Sequence, residues 1–205
     1  ICIGVCDSHI SIAYLRHMLW WLGICIGAFA QTPALTVQTT EPLTVDGHLD
    51  EEAWQKAPAI TDFYKYRPIQ GGLAPGKTEI RILQDDRYLY IGARVTESPF
   101  PVRARLSQRE RINADDQIGV MLDTFGDKRT GYIFYFNPFG IQQDLRFNNG
   151  EWNFFWNTVM TSEGHATEDS YEIEIAIPFR SIKYPTVTEP QNWGIILQRV
   201  TPQNG

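Results

Sequence analysis

The residues of this chain that could do chemistry are few and are poorly spaced for catalysis. After residue 30 the sequence has no cysteine, and its only histidines are His48 and His165. The same part of the sequence contains no G-x-S-x-G nucleophile motif. The two histidines also lack the spacing of zinc ligands. We expect each to be a surface or turn residue. The sequence therefore predicts no catalytic residue and no zinc.

Carboxylates are the remaining candidates for acid, base or metal chemistry. Those that stand near predicted turns, and could offer oxygen to Ca²⁺, are Asp46, Asp50, Asp115, Asp116 and Asp123. They lack the spacing of an EF-hand, which favours roles as turn and cap residues and leaves Ca²⁺ as the only cofactor still open. A glycoside hydrolase needs two carboxylates on opposite sides of a sugar, whereas Glu172 and Glu174 share one face of one predicted strand. That face is predicted to be solvated, so a hydrolase ranks last among the possible functions.

Binding chemistry is better represented, in the stretch NNGEWNFFWN from Asn148 to Asn157. A sugar offers C–H patches to an aromatic ring and hydroxyl groups to amide side chains, and this stretch mixes both residue types. Trp156 is predicted to face the core and Trp152 to form an exposed platform flanked by Asn148 and Asn153. The alternative is that both tryptophans serve only the core.

The strands that must position this stretch follow from apolar alternation. In the central hairpin, large apolar residues alternate on both sides of the break GDKRTG: Ile118, Val120, Leu122, Tyr132, Phe134 and Phe136. Further residues predicted to face inward are Ile80, Ile82, Leu89, Ile91, Ala93, Val95, Tyr171, Ile173, Ile175 and Ile177. About nine or ten short strands of this kind predict an all-β fold. We expect an antiparallel β-sandwich of jelly-roll or immunoglobulin-like two-sheet architecture, with one or two short helical turns.

Two short helical turns and one connector complete the predicted elements. In VDGHLDEEAWQKAP, Asp50 is expected to cap the helix, Trp54 to plug one end of the sandwich, and Pro58 to end the helix. A second turn is predicted after Pro178. The arginine-rich segment Val102 to Arg111, called the connector below, has little apolar period and should run over the surface.

Composition limits the possible partners, and the N-terminal sequence indicates the cellular location. The net charge is −6 and the sequence has no long Lys/Arg run, which argues against nucleic acid and anionic lipid as partners. The apolar run Met18 to Ala30 follows Arg16 and closes with an A-x-A site, as an export signal does, and is too short to span a bilayer. Residues 1–30 are thus predicted to be an upstream extension plus a signal peptide, with the true start at Met18. Residues 31–205 form the domain, which we expect to be exported to the periplasm, outer membrane or exterior and to be truncated at its C-terminus.

Several motifs in order resemble family 9 carbohydrate-binding modules. They are VDGHLDEEAW, TEIRILQDDRYLYIGARV, DDQIGVMLDT, YEIEIAIPF and WGIILQRV. This resemblance implies a non-catalytic β-sandwich that binds polysaccharide, in a protein of carbohydrate catabolism. The segments DKRTGYIFYFNPFGIQQD and W-N-x-x-W-N are closest to a subgroup that precedes an outer-membrane β-barrel. That likeness implies such a barrel, or a catalytic domain, downstream. It also leaves a second hypothesis, a periplasmic structural or plug-like domain that binds no sugar.

The resemblance also suggests where a ligand would lie. Family members resemble one another in clamping a terminal sugar between two tryptophans, with an acid and an arginine on its hydroxyl groups. Alignment on DDQIGVMLD places Asn113 at the first tryptophan position, Gly119 at the acid and Tyr135 at the arginine. The second tryptophan would lie beyond residue 205, so the clamp is not carried over. Asn113, Tyr135 and the nearby Asn137 join the candidate ligand residues.

Overall fold

Two β-sheets make up the described part of the chain and confirm the predicted sandwich. The computed structural model describes residues 2–6, 37–39, 43–66, 71–186 and 191–202. Its strands are β1 (Cys2–Cys6), β2 (Val37–Gln38), β3 (Tyr64–Lys65), β4 (Lys77–Gln84), β5 (Tyr88–Thr96), β6 (Gln117–Asp123), β7 (Thr130–Phe136), β8 (Gln142–Asn148), β9 (Glu151–Asn153), β10 (Thr161–Ala166), β11 (Tyr171–Pro178) and β12 (Gly194–Val200). Helix α1 (Glu52–Lys56) and a 3-10 turn (Phe179–Ser181) lie at the two predicted helical positions.

Most strands pair with the strand that precedes or follows them in the chain. The larger sheet has the order β3-β1-β12-β6-β7-β8-β9, and the smaller sheet has the order β10-β11-β5-β4-β2. Neighbouring strands are antiparallel except β2, which runs parallel to β4. β10 was not predicted, because its sequence TSEGHA has no apolar alternation; it forms along the edge of the strongly apolar β11.

The main core lies between the inner faces of the two sheets. All the inward-facing residues predicted for β4, β5 and β11 are buried in it, together with Ile118, Val120 and Leu122 of β6 and Tyr132, Phe134 and Phe136 of β7. Full burial of one such large apolar side chain contributes roughly 1.5 to 3 kcal/mol. This layer is therefore the main source of stability.

Each sheet also buries apolar side chains on its outer face. On the larger sheet this second cluster consists of Met121, Ile133, Leu145 and Phe147, with Tyr135, Trp152 and Ile196 packed against it. On the smaller sheet it consists of Leu49, Ala53, Trp54, Ala57, Leu83, Tyr90 and Ala176. Each sheet is therefore covered by apolar side chains on both faces, whereas a simple sandwich buries only the inner faces.

The prediction that Trp54 plugs one end of the sandwich is wrong. The indole of Trp54 lies on the outer face of the smaller sheet, where a Cβ atom on Gly92 would stand 3.0 Å from its Cζ3 atom. Helix α1 is also not capped by Asp50, since its N-cap is Glu51 and makes no side-chain cap bond. Pro58 follows the C-cap, as predicted.

Glu174 holds this outer layer in place. Its carboxylate accepts hydrogen bonds from Trp54 Nε1 at 2.8 Å, from Asp46 N at 2.8 Å and from Gly47 N at 3.0 Å. The residue faces outward as predicted, but it is 1% exposed, so the expected solvated face is wrong at this position. Burial is the main cause that raises the pKa of Glu174 to about 7.

The predicted export signal, Met18 to Ala30, lies outside the described residues. Upstream of it, β1 pairs with β12, with Cys2 opposite Val200 and Cys6 opposite Ile196, and its other edge pairs with β3. The division of the chain at residue 30 remains a prediction. Within the described residues, no helix combines the length and apolarity needed to cross a bilayer.

We predict that Glu174 makes the protein less stable as the pH rises. Its folded pKa of about 7 lies above the usual value near 4.5, so its contribution is fully present below about pH 4.5 and is lost as the pH rises through 7. The loss is at most about 3 kcal/mol, at 1.36 kcal/mol per pKa unit. Urea unfolding between pH 5 and 8 measures it. Glu174→Gln should flatten this dependence, whereas the exposed control Glu168→Gln should leave it unchanged; equal slopes in both variants would contradict the assignment.

Candidate functional site

The hairpin of β8 and β9 positions the predicted sugar-stacking residues. Asn149 and Gly150 form its turn with φ of 50° and 95°, the left-handed values that a tight hairpin turn requires at both central residues. The turn pairs Phe147 with Trp152 across the two strands. β9 is the edge strand of the larger sheet, so whatever it carries lies at the rim.

Trp152 and Phe154 form an aromatic platform on the outer side of this rim. The Trp152 ring lies 5.1 Å from the Phe147 ring and 6.3 Å from the Phe154 ring, with an interplanar angle of 26° to the latter. Trp152 is half-buried rather than fully exposed, while Phe154 is 61% exposed. Trp156 packs inward on Tyr132 at 5.1 Å, as predicted. The two tryptophans therefore serve opposite faces of the sheet.

Of the predicted asparagines, Asn148 and Asn153 lie beside the platform. Both are exposed, one at each end of the short strand pairing that carries Trp152. The side-chain oxygen of Asn153 accepts a hydrogen bond from Phe155 N at 2.9 Å, which orders the start of the following loop. The structure thus places Trp152, Asn148 and Asn153 on one hairpin, but strand alternation turns the two asparagine side chains to the face opposite Trp152.

The other three predicted residues lie elsewhere. Asn137 is 0% exposed and bonds Arg105 O and Asp115 Oδ2 through its amide nitrogen, so it holds a loop and does not face a ligand. Asn113 is exposed in the segment before β6. Tyr135 lies on the outer face, where a Cβ atom on Gly119 would stand 2.7 Å from its ring. The tyrosine ring therefore covers the outer face at Gly119.

Sequence reasoning missed a polar cluster that joins the connector to β8. Asp144 is 0% exposed and accepts hydrogen bonds from Thr158 N at 2.8 Å, Gln142 Nε2 at 3.0 Å and Arg109 Nη2 at 3.0 Å. Glu110 Oε2 accepts a hydrogen bond from Asp144 N at 3.1 Å. Burial is the main cause that raises the pKa of both Asp144 and Glu110. Polar residues at alternate positions of β8, where apolar ones would be expected, were the available signal.

The carboxylates weighed as metal ligands have other roles here. Asp115 accepts hydrogen bonds from Arg105 Nε at 3.0 Å and from Asn137, and Asp116 accepts one from Arg103 N at 2.7 Å. Across the described ranges, no three or more His, Cys, Asp and Glu side chains are grouped so that they could hold a metal ion. Whether the protein uses Ca²⁺ stays a prediction. His48 and His165 are both exposed, as predicted, and their ring centroids lie 4.9 Å apart.

We predict that Asp144 determines the order of the loop next to the platform. Asp144→Asn keeps the size of the side chain but places an NH₂ group against donors, so the unfolding free energy should fall by about 2 to 3 kcal/mol. Chemical denaturation measures that loss. Hydrogen exchange at the Thr158 amide should accelerate in the same variant, because its acceptor is weakened. The exposed Glu163→Gln serves as control, and an unchanged Thr158 amide in Asp144→Asn would contradict the role.

Solved structures share this arrangement of sheets. A protein from Bacteroides uniformis ATCC 8492 superposes with a TM-score of 0.60 at 14% identity, over 80% of this chain and 87% of its own. A family 9 carbohydrate-binding module from Caldicellulosiruptor kristjanssonii, solved in complex with glucose, gives a TM-score of 0.55 at 14% identity, over 80% and 84%. The same organism's module in complex with cellotriose gives 0.54 at 14% identity, over 80% and 82%. These likenesses show the fold.

The family itself is shown by the sequence match. No curated protein sequence matches the chain. The model of the carbohydrate family 9 binding domain-like family matches residues 45–205, which include every strand from β3 to β12 together with α1. The chain therefore belongs to the carbohydrate family 9 binding domain-like family.

Proposed function

We propose that this chain is a non-catalytic carbohydrate-binding module that binds polysaccharide through the aromatic platform. The observation that carries the proposal is the stacking of Trp152 on Phe154 at the sheet rim. Aromatic rings bind the C–H faces of sugars. The exposed amides of Asn148 and Asn153, on the other face of the same hairpin, can bond hydroxyl groups of a ligand that crosses the edge. Family membership supports it.

The proposed contact surface differs from a clamp around a terminal sugar. Tyr135 covers Gly119 and its hydroxyl lies 3.3 Å from Gln198 Oε1, so the outer face is filled at this point. A platform on an edge strand is open along its length. Such a surface suits internal units of a polysaccharide better than a chain end.

We also propose a cellular setting for the module. Residues 18–30 direct export, and the domain works in the periplasm, at the outer membrane or outside the cell. The segments from DKRTG to QQD and W-N-x-x-W-N support a place before an outer-membrane barrel, and a catalytic domain is the other arrangement. In both, the module would hold polysaccharide near the partner domain that acts on it.

We predict that the platform carries the affinity. Trp152→Ala and Phe154→Ala should each weaken binding to a polysaccharide ligand about tenfold, equivalent to about 1.4 kcal/mol. A glycan array identifies the ligand and isothermal titration measures the change. Phe100→Ala is the matched control, since Phe100 is 53% exposed and lies in the segment after β5, a strand of the smaller sheet. Unaltered affinity in both platform variants would rule out this surface, and no glycan binding at all would favour a structural domain.

We predict cleavage after Ala30. Expression in a bacterium, from a start at Met18, should give an exported protein whose first residue is Gln31, as measured by intact mass. Ala28→Leu alters the A-x-A site and should block processing. An exported product that retains residues 18–30 would contradict the signal assignment.

A further inference from the structure

Exposed arginines lie next to the loop that follows the aromatic platform. The connector contains Arg103, Arg105, Arg109 and Arg111, against one acidic residue, Glu110. All four arginines are exposed. The connector also touches the loop directly, because Arg109 Nη2 donates a hydrogen bond to Thr158 O at 3.0 Å. The connector therefore presents four guanidinium groups at the surface, two of which are neutralised from below by Asp115 and Asp144.

Buried acids orient two of these arginines toward solvent. Arg105 pairs with Asp115 at 3.0 Å, where the arginine side chain is 65% exposed and the acid 1%. Arg109 pairs with Asp144 at 3.0 Å, where the exposures are 48% and 0%. The negative charges therefore lie beneath the surface and the guanidinium groups lie on it.

Each oriented guanidinium keeps hydrogen-bond donors for a ligand. Arg105 uses Nε for Asp115, and Arg109 uses Nη2 for both Asp144 and Thr158. A guanidinium carries five N–H donors in a rigid fork. Within the part of the chain that the structure describes, the other nitrogens of these two side chains make no hydrogen bond. Planar forks of this kind bind carboxylates in bidentate fashion.

Exposed guanidinium groups favour a ligand that accepts hydrogen bonds, and a carboxylate is the strongest such acceptor on a sugar. The exposed Glu151 stands next to Trp152 on β9, so the carboxylates of such a ligand would lie toward the arginines and away from the platform. Arg109 reaches the loop that follows β9 through Thr158 O, whereas Arg105 lies beside Asn137 at the end of β7. Contact with the platform and with both arginines therefore requires a ligand as long as a polymer.

We infer that the glycan bound here is acidic: a uronate-containing polysaccharide whose rings stack on the platform while Arg105, Arg109 and Arg111 bind its carboxylates. The inference rests on the proposed carbohydrate-binding function and names its ligand class. Since the net charge of the chain is −6, the attraction is local. It is screened over about 8 to 10 Å at 0.1 to 0.15 M salt, so affinity should fall steeply with ionic strength.

The test compares one polymer backbone with and without its charge. The purified protein is titrated by calorimetry with polygalacturonate and alginate, and with the same polymers after their carboxyl groups are reduced to alcohols. We expect the acidic form of at least one polymer to bind at least tenfold more tightly than its reduced form. This preference should disappear in 0.5 M NaCl.

Variants separate the charge from the stacking. Arg111→Gln should weaken binding of the acidic form about threefold and the double variant Arg105→Gln/Arg111→Gln about tenfold, with the reduced form unaffected. Trp152→Ala should weaken both forms. Lys56→Gln is the charge-matched control, because its exposed partner Glu52 lies on α1, over the other sheet. It should change neither affinity.

The outcomes distinguish this inference from the proposed function. Equal or tighter binding of the reduced polymers would overturn the acidic ligand and leave carbohydrate binding intact. No binding of any polymer would contradict both. Arg111-dependent sedimentation with vesicles of phosphatidylglycerol in phosphatidylcholine, without polymer binding, would assign the arginines to a lipid surface and overturn the inference.

Discussion

The contact between the inner faces of the two sheets determines where every other element can lie. Phe134 and Phe136 of β7 and Ile91 and Ile173 of the facing sheet are all 0% exposed. β8 lies one strand from the edge of the larger sheet, and no residue of this strand belongs to the main core between the sheets. Its inward positions are polar, with Asp144 opposite Phe134 in the register. The connector and Thr158 pack against these polar positions instead.

Buried carboxylates then attach those loops to the sheets. Asp144 binds both Arg109 and Thr158, and Glu174 binds Trp54 and the turn at Gly47. Each carboxylate accepts several hydrogen bonds, which offsets the cost of removing it from water. Burial raises the pKa of both groups by more than these hydrogen bonds lower it. The position of the loops is therefore tied to protonation as well as to packing.

Apolar alternation in the sequence predicted the side of each strand that faces the core, but not what covers the other side. Glu174 was correctly placed on the outward face, yet its partner Trp54 is 120 residues away in the chain. Periodicity within a strand carries no information about such a pairing. The outward side of Trp152 could be predicted from the local sequence, whereas its stacking partner Phe154 was not among the predicted residues. Nor was Arg109, since it meets Thr158 across 49 residues.

The family fold and the family clamp separate in this chain. At 14% identity the sheets keep their arrangement, because many apolar residues can fill a core of the same shape. A clamp is less tolerant, since it needs an open recess, and here the ring of Tyr135 lies over Gly119. A binding surface on an edge strand needs no recess and is open at both ends. Contacts along a polymer are then individually weak and add up through repetition, so a module without a clamp can still bind a long chain. On this argument, the binding that we propose depends on the rim rather than on the sheet face.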